Sequence, residues 1–286
     1  MKMAFFGDIH GNAYGLQSII EDLKKEKPDR IYCMGDLFIP FPGTNYIWNT
    51  VKNLTIPIVR GNGEDLLIEY FRSKKSNPLR TSIQFRPTQL IAKKLIRNII
   101  MILEKFPLTL TLKNLYDTRI LVCHGTPFSN QEFLINLEGN LTSHVINHDS
   151  IDMIIAGHVH VPYERERNNV KFITVGSGGK SYSGKPEIYY LILEHEEDRW
   201  KIKHKSLPYD YESLINDMID SNFLIDGAPI SWLFFNEILN HENTTYIFFR
   251  DYYPKLLPKS DSEWHKACTH YLKKIKRWEE VSAYIP

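Results

Sequence analysis

The first part of this chain repeats one local pattern: a short apolar run, a polar cluster at its end, and then a helix-like segment. The largely apolar runs and the polar residues that follow them are 2–6 with Asp8 and His10, 30–34 with Asp36, and 57–59 with Asn62. Helical spacing of apolar residues predicts helices from Asn12 onward and over 44–52. Such strand–helix alternation predicts an α/β fold. Because ligand sites in these sheets lie beyond the carboxyl ends of the strands, we expect the polar side chains to meet there.

From residue 108 the chain is rich in predicted strands. They cover 108–113, 119–123, 152–156, 170–175, 187–193 and 200–205. A helix is predicted around 143–147, and Asn168-Asn169 is typical of a hairpin turn. His124 follows the second of these strands, and His158 and His160 follow the third. These histidines add to the set of polar residues at strand ends.

Residues 208–286 are predicted to be a helical extension of a main domain that covers 1–207. Ser260 and Glu263 form a capping-box pattern at the start of the last helix. The aromatic residues of that helix, Trp264, Tyr271 and Trp278, are interpreted as core packing. The extension either covers one edge of the fold or forms a subunit contact, and a homo-oligomer is compatible with the sequence.

Residues 72–106 interrupt the strand–helix rhythm as an insertion or cap. A basic stretch, 72–87, is predicted to be a loop, and an amphipathic helix is predicted over 90–106. A solvated surface is the preferred interpretation of the basic loop. The alternative is a rim that attracts a phosphate-bearing substrate, with Arg80 and Arg86 as its candidates.

Composition excludes several classes of protein. Lys plus Arg number 35 and Asp plus Glu 34, so no global field favours nucleic acid or an anionic membrane. The apolar stretch 90–106 carries Lys93, Lys94 and Glu104, which excludes a membrane span. The three cysteines show no metal-binding or redox spacing, and a cytoplasmic location fits best.

Seven polar residues at strand ends have the chemistry of metal ligands. They are Asp8, His10, Asp36, Asn62, His124, His158 and His160. Carboxylate, imidazole and amide groups suit Mn²⁺, Fe or Zn²⁺, and the set contains no cysteine. Seven ligands are too many for one tetrahedral ion and suit two ions that share a carboxylate. Two such ions can activate a bridging hydroxide for attack on a phosphoester.

Five of these segments, DIHGN, GDLF, RGNGE, CHGTP and GHVH, resemble the signature blocks of the calcineurin-like metallophosphoesterases. The bacterial and archaeal single-domain phosphodiesterase branch is the most similar, over about residues 1–205. The resemblance implies an αββα sandwich, in which two mixed sheets face each other between layers of helices. It also implies two divalent metal ions, Mn²⁺ in preference to Fe, Ni²⁺ or Zn²⁺.

The resemblance also implies a role for each ligand. Asp8, His10 and His160 would hold the first metal ion, and Asn62, His124 and His158 the second, with Asp36 as the bridge. Asp36, Asn62 and His124 are the expected catalytic residues. Glu64 is interpreted as a favourable first-turn helix residue in preference to a partner of a ligand, and the glycines of 176–179 as a tight turn or a phosphate contact.

One position departs from the family pattern. Many members have a histidine directly after the asparagine of the third block, where it helps to protonate the leaving group, and this chain has Gly63. The departure favours phosphodiesters or other small phosphoesters with good leaving groups. Hydrolysis of dinucleoside polyphosphates such as diadenosine tetraphosphate is the alternative, and a non-catalytic scaffold of the same fold is the third hypothesis. The expected partner is a small phosphoester or nucleotide substrate.

Overall fold

The computed structural model describes residues 1–95, 99–136, 151–256 and 258–285. Its helices and strands, in chain order, are β1 (Lys2–Phe6), α1 (Ala13–Glu26), β2 (Arg30–Cys33), α2 (Thr44–Leu54), α3 (Asn62–Arg72), α4 (Pro78–Thr81), α5 (Arg86–Lys94), α6 (Ile100–Leu103), β3 (Thr109–Leu115), β4 (Thr118–Cys123), β5 (Met153–Ala156), β6 (Pro162–Arg167), β7 (Val170–Val175), β8 (Glu187–Glu196), β9 (Arg199–Pro208), α7 (Tyr211–Asp220), α8 (Phe223–Asp226), α9 (Ile230–Asn240), α10 (Thr244–Ile247), α11 (Tyr253–Leu256), α12 (Asp261–Lys274) and α13 (Trp278–Ser282). Short 3₁₀ turns cover Ile83–Phe85 and Leu134–Asn136, and a π-helical turn covers Phe248–Tyr252.

The strands form two mixed sheets. The first sheet has the order β2-β1-β8-β9, in which β1 and β2 are parallel and the other pairs are antiparallel. The second has the order β3-β4-β5-β7-β6, with parallel pairs β4-β5 and β5-β7. The expected αββα arrangement of two mixed sheets flanked by helices is confirmed.

Alternation along β1 explains how the first sheet carries apolar side chains on both faces. Met3 and Phe5 point into a cluster between the two sheets, where they meet Ile120, Val122 and Ile155 of the second sheet. Ala4 and Phe6 point the other way, into a larger cluster with the helices. Successive side chains of a strand face opposite sides, so a strand buried on both faces is apolar throughout.

The helices that follow β9 pack into the same cluster as the helices of the amino-terminal half. Leu233 and Phe235 of α9 are fully buried there, together with Leu16 and Ile19 of α1. The capping box predicted at Ser260 and Glu263 is present at the start of α12. The helical character expected after residue 208 is therefore confirmed, while the division into two domains stays a prediction.

Three predicted elements differ from the structure. The helix expected over 90–106 is divided into α5 and α6, because Leu95 at the end of α5 has an extended ψ of 139°. The strand expected over 57–59 is a single bridge between Cys33 and Ile58, since Pro57 has no N–H to donate to a ladder. The loop expected over 72–87 contains α4 and a 3₁₀ turn.

One strand was not expected from the sequence. β6 pairs with β7 across the predicted Asn168-Asn169 turn, where both residues have positive φ. Its charged middle, Glu164 to Glu166, is exposed at the edge of the sheet, and such charges hide the strand pattern while they protect the edge. The helix predicted around 143–147 lies outside the described residues.

Within the described part of the chain, no helix is long and apolar enough to cross a membrane. Cys33, Cys123 and Cys268 are free thiols, and all three are buried. Burial raises the pKa of each thiol above its ordinary value, so none is activated as a nucleophile.

Phe5→Ala tests the packing between the sheets. Phe5 is fully buried and stacks on Tyr32 with ring centroids 5.1 Å apart. We expect this change to lower the free energy of unfolding by about 3–5 kcal/mol, because it leaves a cavity that the two sheets cannot close. Urea denaturation measures the loss. Tyr46→Ala, at a ring that is 44% exposed, is the control and should stay within about 0.5 kcal/mol of the parent.

Candidate metal centre

The seven candidate ligands come together at the carboxyl ends of the central strands. They are supplied by the loops that follow β1, β2, β4 and β5 and by the first residue of α3. Backbone hydrogen bonds join the first two loops: Asp8 N donates to Gly35 O and His10 N donates to Asp36 O, each at 2.9 Å. Because β1 and β2 are parallel, as are β4 and β5, their carboxyl ends point the same way and bring candidate ligands from distant parts of the chain together.

One group of candidate ligands consists of Asp8, His10 and His160. Their ligand atoms lie close enough together to hold one ion. His160 Nε2 is 3.4 Å from Asp8 Oδ1, and His10 Nε2 is 3.9 Å from the same oxygen. The two Nε2 atoms are only 2.9 Å apart.

The second group consists of Asp8, Asp36 and His124, and Asn62 lies beside it. His124 Nε2 lies 3.0 Å from Asn62 Oδ1 and 3.6 Å from Asp36 Oδ2. The His158 ring centroid is 5.0 Å from that of His124, and His158 Nε2 lies 3.2 Å from the carbonyl of Gln131. His158 therefore lies next to this group, but its ligand atoms are not among those close enough together to hold one ion.

Asp36 stands between the two groups. Its Oδ2 is 3.7 Å from His10 Nε2 and 3.6 Å from His124 Nε2, while its Oδ1 accepts a hydrogen bond from Gly63 N at 2.7 Å. The Gly63 amide thus fixes one carboxylate oxygen and leaves the other facing both groups. A single carboxylate in this position can serve two ions.

Three imidazoles are held by the same kind of contact on their outer nitrogen. Nδ1 of His10, of His124 and of His160 donates to the carbonyl of Ile39, of Met34 and of Lys180, at 2.5, 2.6 and 2.7 Å respectively. A neutral imidazole that donates from Nδ1 carries its lone pair on Nε2, which is the arrangement of metal-ligating histidines.

The inner atoms of the site lack the hydrogen bonds that a metal-free protein would need. Asp8 Oδ1 is buried without a hydrogen-bond partner in the described part of the chain. The Nε2 atoms of His10 and His160 face each other at 2.9 Å, although Nδ1 of each ring already donates to a backbone carbonyl. A buried carboxylate and two facing ring nitrogens are costly unless a cation lies among them, so the donor set fits a divalent metal ion.

The pKa values of the candidate ligands are shifted in both directions: those of His10, His158 and Asp8 are lowered, and those of Asp36 and His124 are raised. Burial, together with His160 and Lys180, lowers the pKa of His10 well below its ordinary value, and burial with His124 lowers the pKa of His158 to about 3. Burial opposes ionisation of Asp8, yet the surrounding histidines bring its pKa below the ordinary value. His10 and His158 are therefore neutral at neutral pH, as metal binding requires. Burial opposes protonation of His124, yet Asp36 and Asp8 raise its pKa above the ordinary value.

Five of the seven candidate ligands adopt left-handed backbone conformations. Their φ angles are 52° at Asp8, 54° at His10, 52° at Asp36, 67° at His158 and 63° at His160. Residues other than glycine adopt such angles rarely and at a cost in free energy, and they concentrate at functional sites. The strain is sustained by the hydrogen bonds that surround each loop.

Glu64 is a buried support for the loop that carries Asp36. Its carboxylate accepts hydrogen bonds from the amides of Asp36 and Leu37 at 2.8 Å and of Gly61 at 2.9 Å. Burial and the nearby Asp36 raise the pKa of Glu64 to about 7. Glu64 does lie in the first turn of α3, as the sequence indicated, but it also positions a candidate ligand.

The glycine-rich loop 176–179 packs against the Asp8–His10 loop and makes hydrogen bonds with it. Ser177 Oγ donates to Asp8 O at 2.8 Å, and Asn12 Nδ2 donates to Gly179 O at 2.8 Å. A Cβ at Gly179 would lie 1.9 Å from the carbonyl oxygen of Ile9, so only glycine allows this approach. The loop therefore acts as a tight turn that packs against backbone.

The two candidate arginines make contacts within the protein. Arg80 lies over the ring of Tyr70 and donates to its carbonyl at 2.9 Å. Arg86 donates to Ala228 O and pairs with Asp261, each at 2.7 Å. These contacts join helices to one another, and a role in substrate binding stays a prediction.

Sequence reasoning missed one cation beside the centre. Lys180 is 7% exposed and pairs with the buried Glu237 of α9 at 2.9 Å. Burial disfavours its charged form, but Glu237 and Tyr182 raise the pKa of Lys180 above its ordinary value, so it stays charged. The pair spans the boundary expected at residue 208, and neither residue lies in a recognisable motif.

Glu64→Gln tests whether Glu64 positions the metal ligands. An amide group can replace one accepting oxygen only, so at least one amide of the Asp36 loop loses its partner. We expect metal affinity to fall about 10–100-fold, the usual cost of losing a partner of a metal ligand. Titration with Mn²⁺ followed by calorimetry measures the change. Glu21→Gln, at an exposed carboxylate of α1, is the control, and equal affinities in the two variants would contradict the assignment.

Comparisons with known proteins agree with this geometry. The curated relative MJ0912 of Methanocaldococcus jannaschii, an uncharacterized protein, is 24% identical over 243 residues, which are 76% of this chain and 93% of the relative. The structure of a metallophosphoesterase from Sphaerobacter thermophilus matches with a TM-score of 0.62 at 20% identity, over 78% of this chain and 95% of that one.

The hypothetical protein PH1004 from Pyrococcus horikoshii shows the same fold. It matches with a TM-score of 0.64 at 17% identity, over 80% of this chain and 97% of its own. The sequence model of the calcineurin-like phosphoesterase superfamily domain matches residues 1–198, which is more than half of the chain. The chain therefore belongs to the calcineurin-like phosphoesterase superfamily.

Proposed function

We propose that this protein is a dinuclear metal-dependent hydrolase of phosphodiesters and related small phosphoesters. Membership of the superfamily makes it a metal-dependent phosphoric ester hydrolase. The observation that carries the finer proposal is the position of Asp36 Oδ2, 3.7 Å from His10 Nε2 and 3.6 Å from His124 Nε2. A carboxylate shared in this way suits two ions better than one.

Each ion would have its own ligands. Asp8, His10 and His160 would hold the first, Asn62, His124 and His158 the second, and Asp36 would bridge them. Bound metal ions would supply Lewis acidity to the phosphoryl group and lower the pKa of a nucleophilic water. Mn²⁺ is the proposed metal, as the family resemblance implies, and oxygen and nitrogen donors without a thiolate are compatible with it.

The residues of the chain itself orient the centre. Backbone carbonyls direct the Nε2 atoms of His10, His124 and His160 inward, and the Gly63 amide fixes Asp36 Oδ1. These contacts are made before substrate binds, so little reorganisation is needed during the reaction. Asp36, Asn62 and His124 remain the proposed catalytic residues, since they lie next to the bridging position.

The alternatives from the sequence receive less support. A dinucleoside polyphosphate needs cations for several phosphates, and Arg80 and Arg86 already bind groups of the protein. A scaffold would not need seven candidate ligands and the hydrogen bonds that support them. A cytoplasmic setting is proposed from the three buried free thiols.

Asp36→Asn tests the shared carboxylate. The change removes the negative charge that would bridge the ions, so we expect hydrolysis of bis(p-nitrophenyl) phosphate with Mn²⁺ to fall by more than the roughly 10–100-fold cost of losing an outer partner. Release of p-nitrophenol measures the rate. Asp220→Asn, at an exposed carboxylate of α7, is the matched control. Full activity of the Asp36 variant would overturn the proposal.

Two substrates that differ only in their leaving group test whether the site lacks a general acid at Gly63. This residue has no side chain to protonate a departing oxygen, and its amide is bound to Asp36. We expect kcat/KM for methyl phenyl phosphate to lie below that for methyl p-nitrophenyl phosphate by about 10²-fold or more, the scale of a missing general acid. Steady-state kinetics with product quantified by chromatography checks this. Equal values would show that another group donates the proton.

A further inference from the structure

A cavity of about 460 Å³ opens directly from the candidate metal centre. His10, Asp36 and Asn62 form one end of it. Its remaining walls come from the loop after Asp36, the start of α3, Lys180, residues 84–88 and the helical segments that follow β9. A volume of this size lies in the usual range for small-molecule sites and exceeds what a phosphate group alone requires.

The walls away from the metal centre are largely apolar. Their apolar side chains are Ile39, Leu66, Phe85, Ile230, Phe234 and Phe249. Three of the six are aromatic, and half of them come from the carboxyl-terminal helices and the π-helical turn. Apolar walls with a polar, charged end are typical of a pocket that orients an amphiphilic ligand.

Charge in this cavity is balanced. Among the described residues that line it beyond the metal centre, Lys180 alone carries a formal charge. Its Nζ lies 2.9 Å from Glu237 Oε2, and the other carboxylate oxygen accepts from Thr245 N at 2.8 Å. Because the ammonium group is paired with a buried carboxylate, it offers little attraction to a second anionic group.

We propose that this cavity receives an uncharged, mainly apolar or aromatic organic group of the phosphoester substrate, while the phosphate lies at the metal centre. The inference deepens the proposed function and rests on it. It assigns the carboxyl-terminal helices a direct part in substrate selection, because Ile230, Phe234 and Phe249 form the walls. A substrate with a second charged group near the phosphate would place that charge against aromatic rings and is disfavoured.

Binding of non-hydrolysable phosphonates to the Mn²⁺-loaded protein tests the inference. We expect phenylphosphonate to bind at least about 10-fold more tightly than methylphosphonate, the discrimination that a hydrophobic pocket gives for apolar groups. Propylphosphonate should likewise bind more tightly than 3-phosphonopropionate, which carries a second charge. Isothermal titration calorimetry measures all four affinities without any need for turnover.

Two variants connect the preference to the cavity. Phe234→Ala removes an aromatic wall, and Gln84→Trp fills the cavity from a half-buried position. Each should reduce the ratio of phenylphosphonate affinity to methylphosphonate affinity. Phe128→Ala, at a ring that is 55% exposed, is the matched control and should retain the preference. If Phe234→Ala does not fold, Gln84→Trp alone tests whether the apolar group lies in this cavity.

The outcomes separate the inference from the proposed function. Failure of all four phosphonates to bind in the presence of Mn²⁺ would overturn the metal-dependent function and the inference with it. Equal affinity for methylphosphonate and phenylphosphonate, or tighter binding of the doubly charged compound, would overturn the inference alone. A preference that both cavity variants retain would place the apolar group elsewhere.

Discussion

Two carboxylates, Asp8 and Asp36, are buried side by side, and much of the fold serves to hold them there. Asp8 is 0% and Asp36 is 2% exposed. Burial of an unpaired carboxylate is costly, so the protein surrounds the two with imidazoles, amides and, by inference, metal ions. Left-handed backbone at both residues, and the backbone bonds between their loops, follow from the need to aim both side chains at one point.

The sequence allowed the strand ends to be predicted because a change from apolar to polar residues is a local signal. Asp8, His10 and Asp36 each follow a buried strand, and the structure places them as the α/β pattern requires. His158 and His160 follow a later strand in the same way, and the matching family blocks then implied which ion each candidate ligand would hold. The candidate ligands could thus be proposed from the order of residue types along the chain, without knowledge of distances.

Other features depended on contacts between remote segments and could not be predicted. Lys180 and Glu237 are 57 residues apart, and neither belongs to a motif, yet they form a buried ion pair beside His10. The hydrogen bonds of Glu64 could not be predicted either, because two of the three join the start of α3 to the distant loop of Asp36. The break after α5 likewise has no local signal, because apolar spacing continues across Leu95.

The order in which the chain is made has a consequence for the site. β1, which carries Asp8, pairs with β8 late in the sequence, where Phe5 meets Leu191. The His160 ring is held by the carbonyl of Lys180, which in turn pairs with Glu237. A nascent chain therefore cannot complete the ligand geometry until most of it has left the ribosome, since contacts this distant form last.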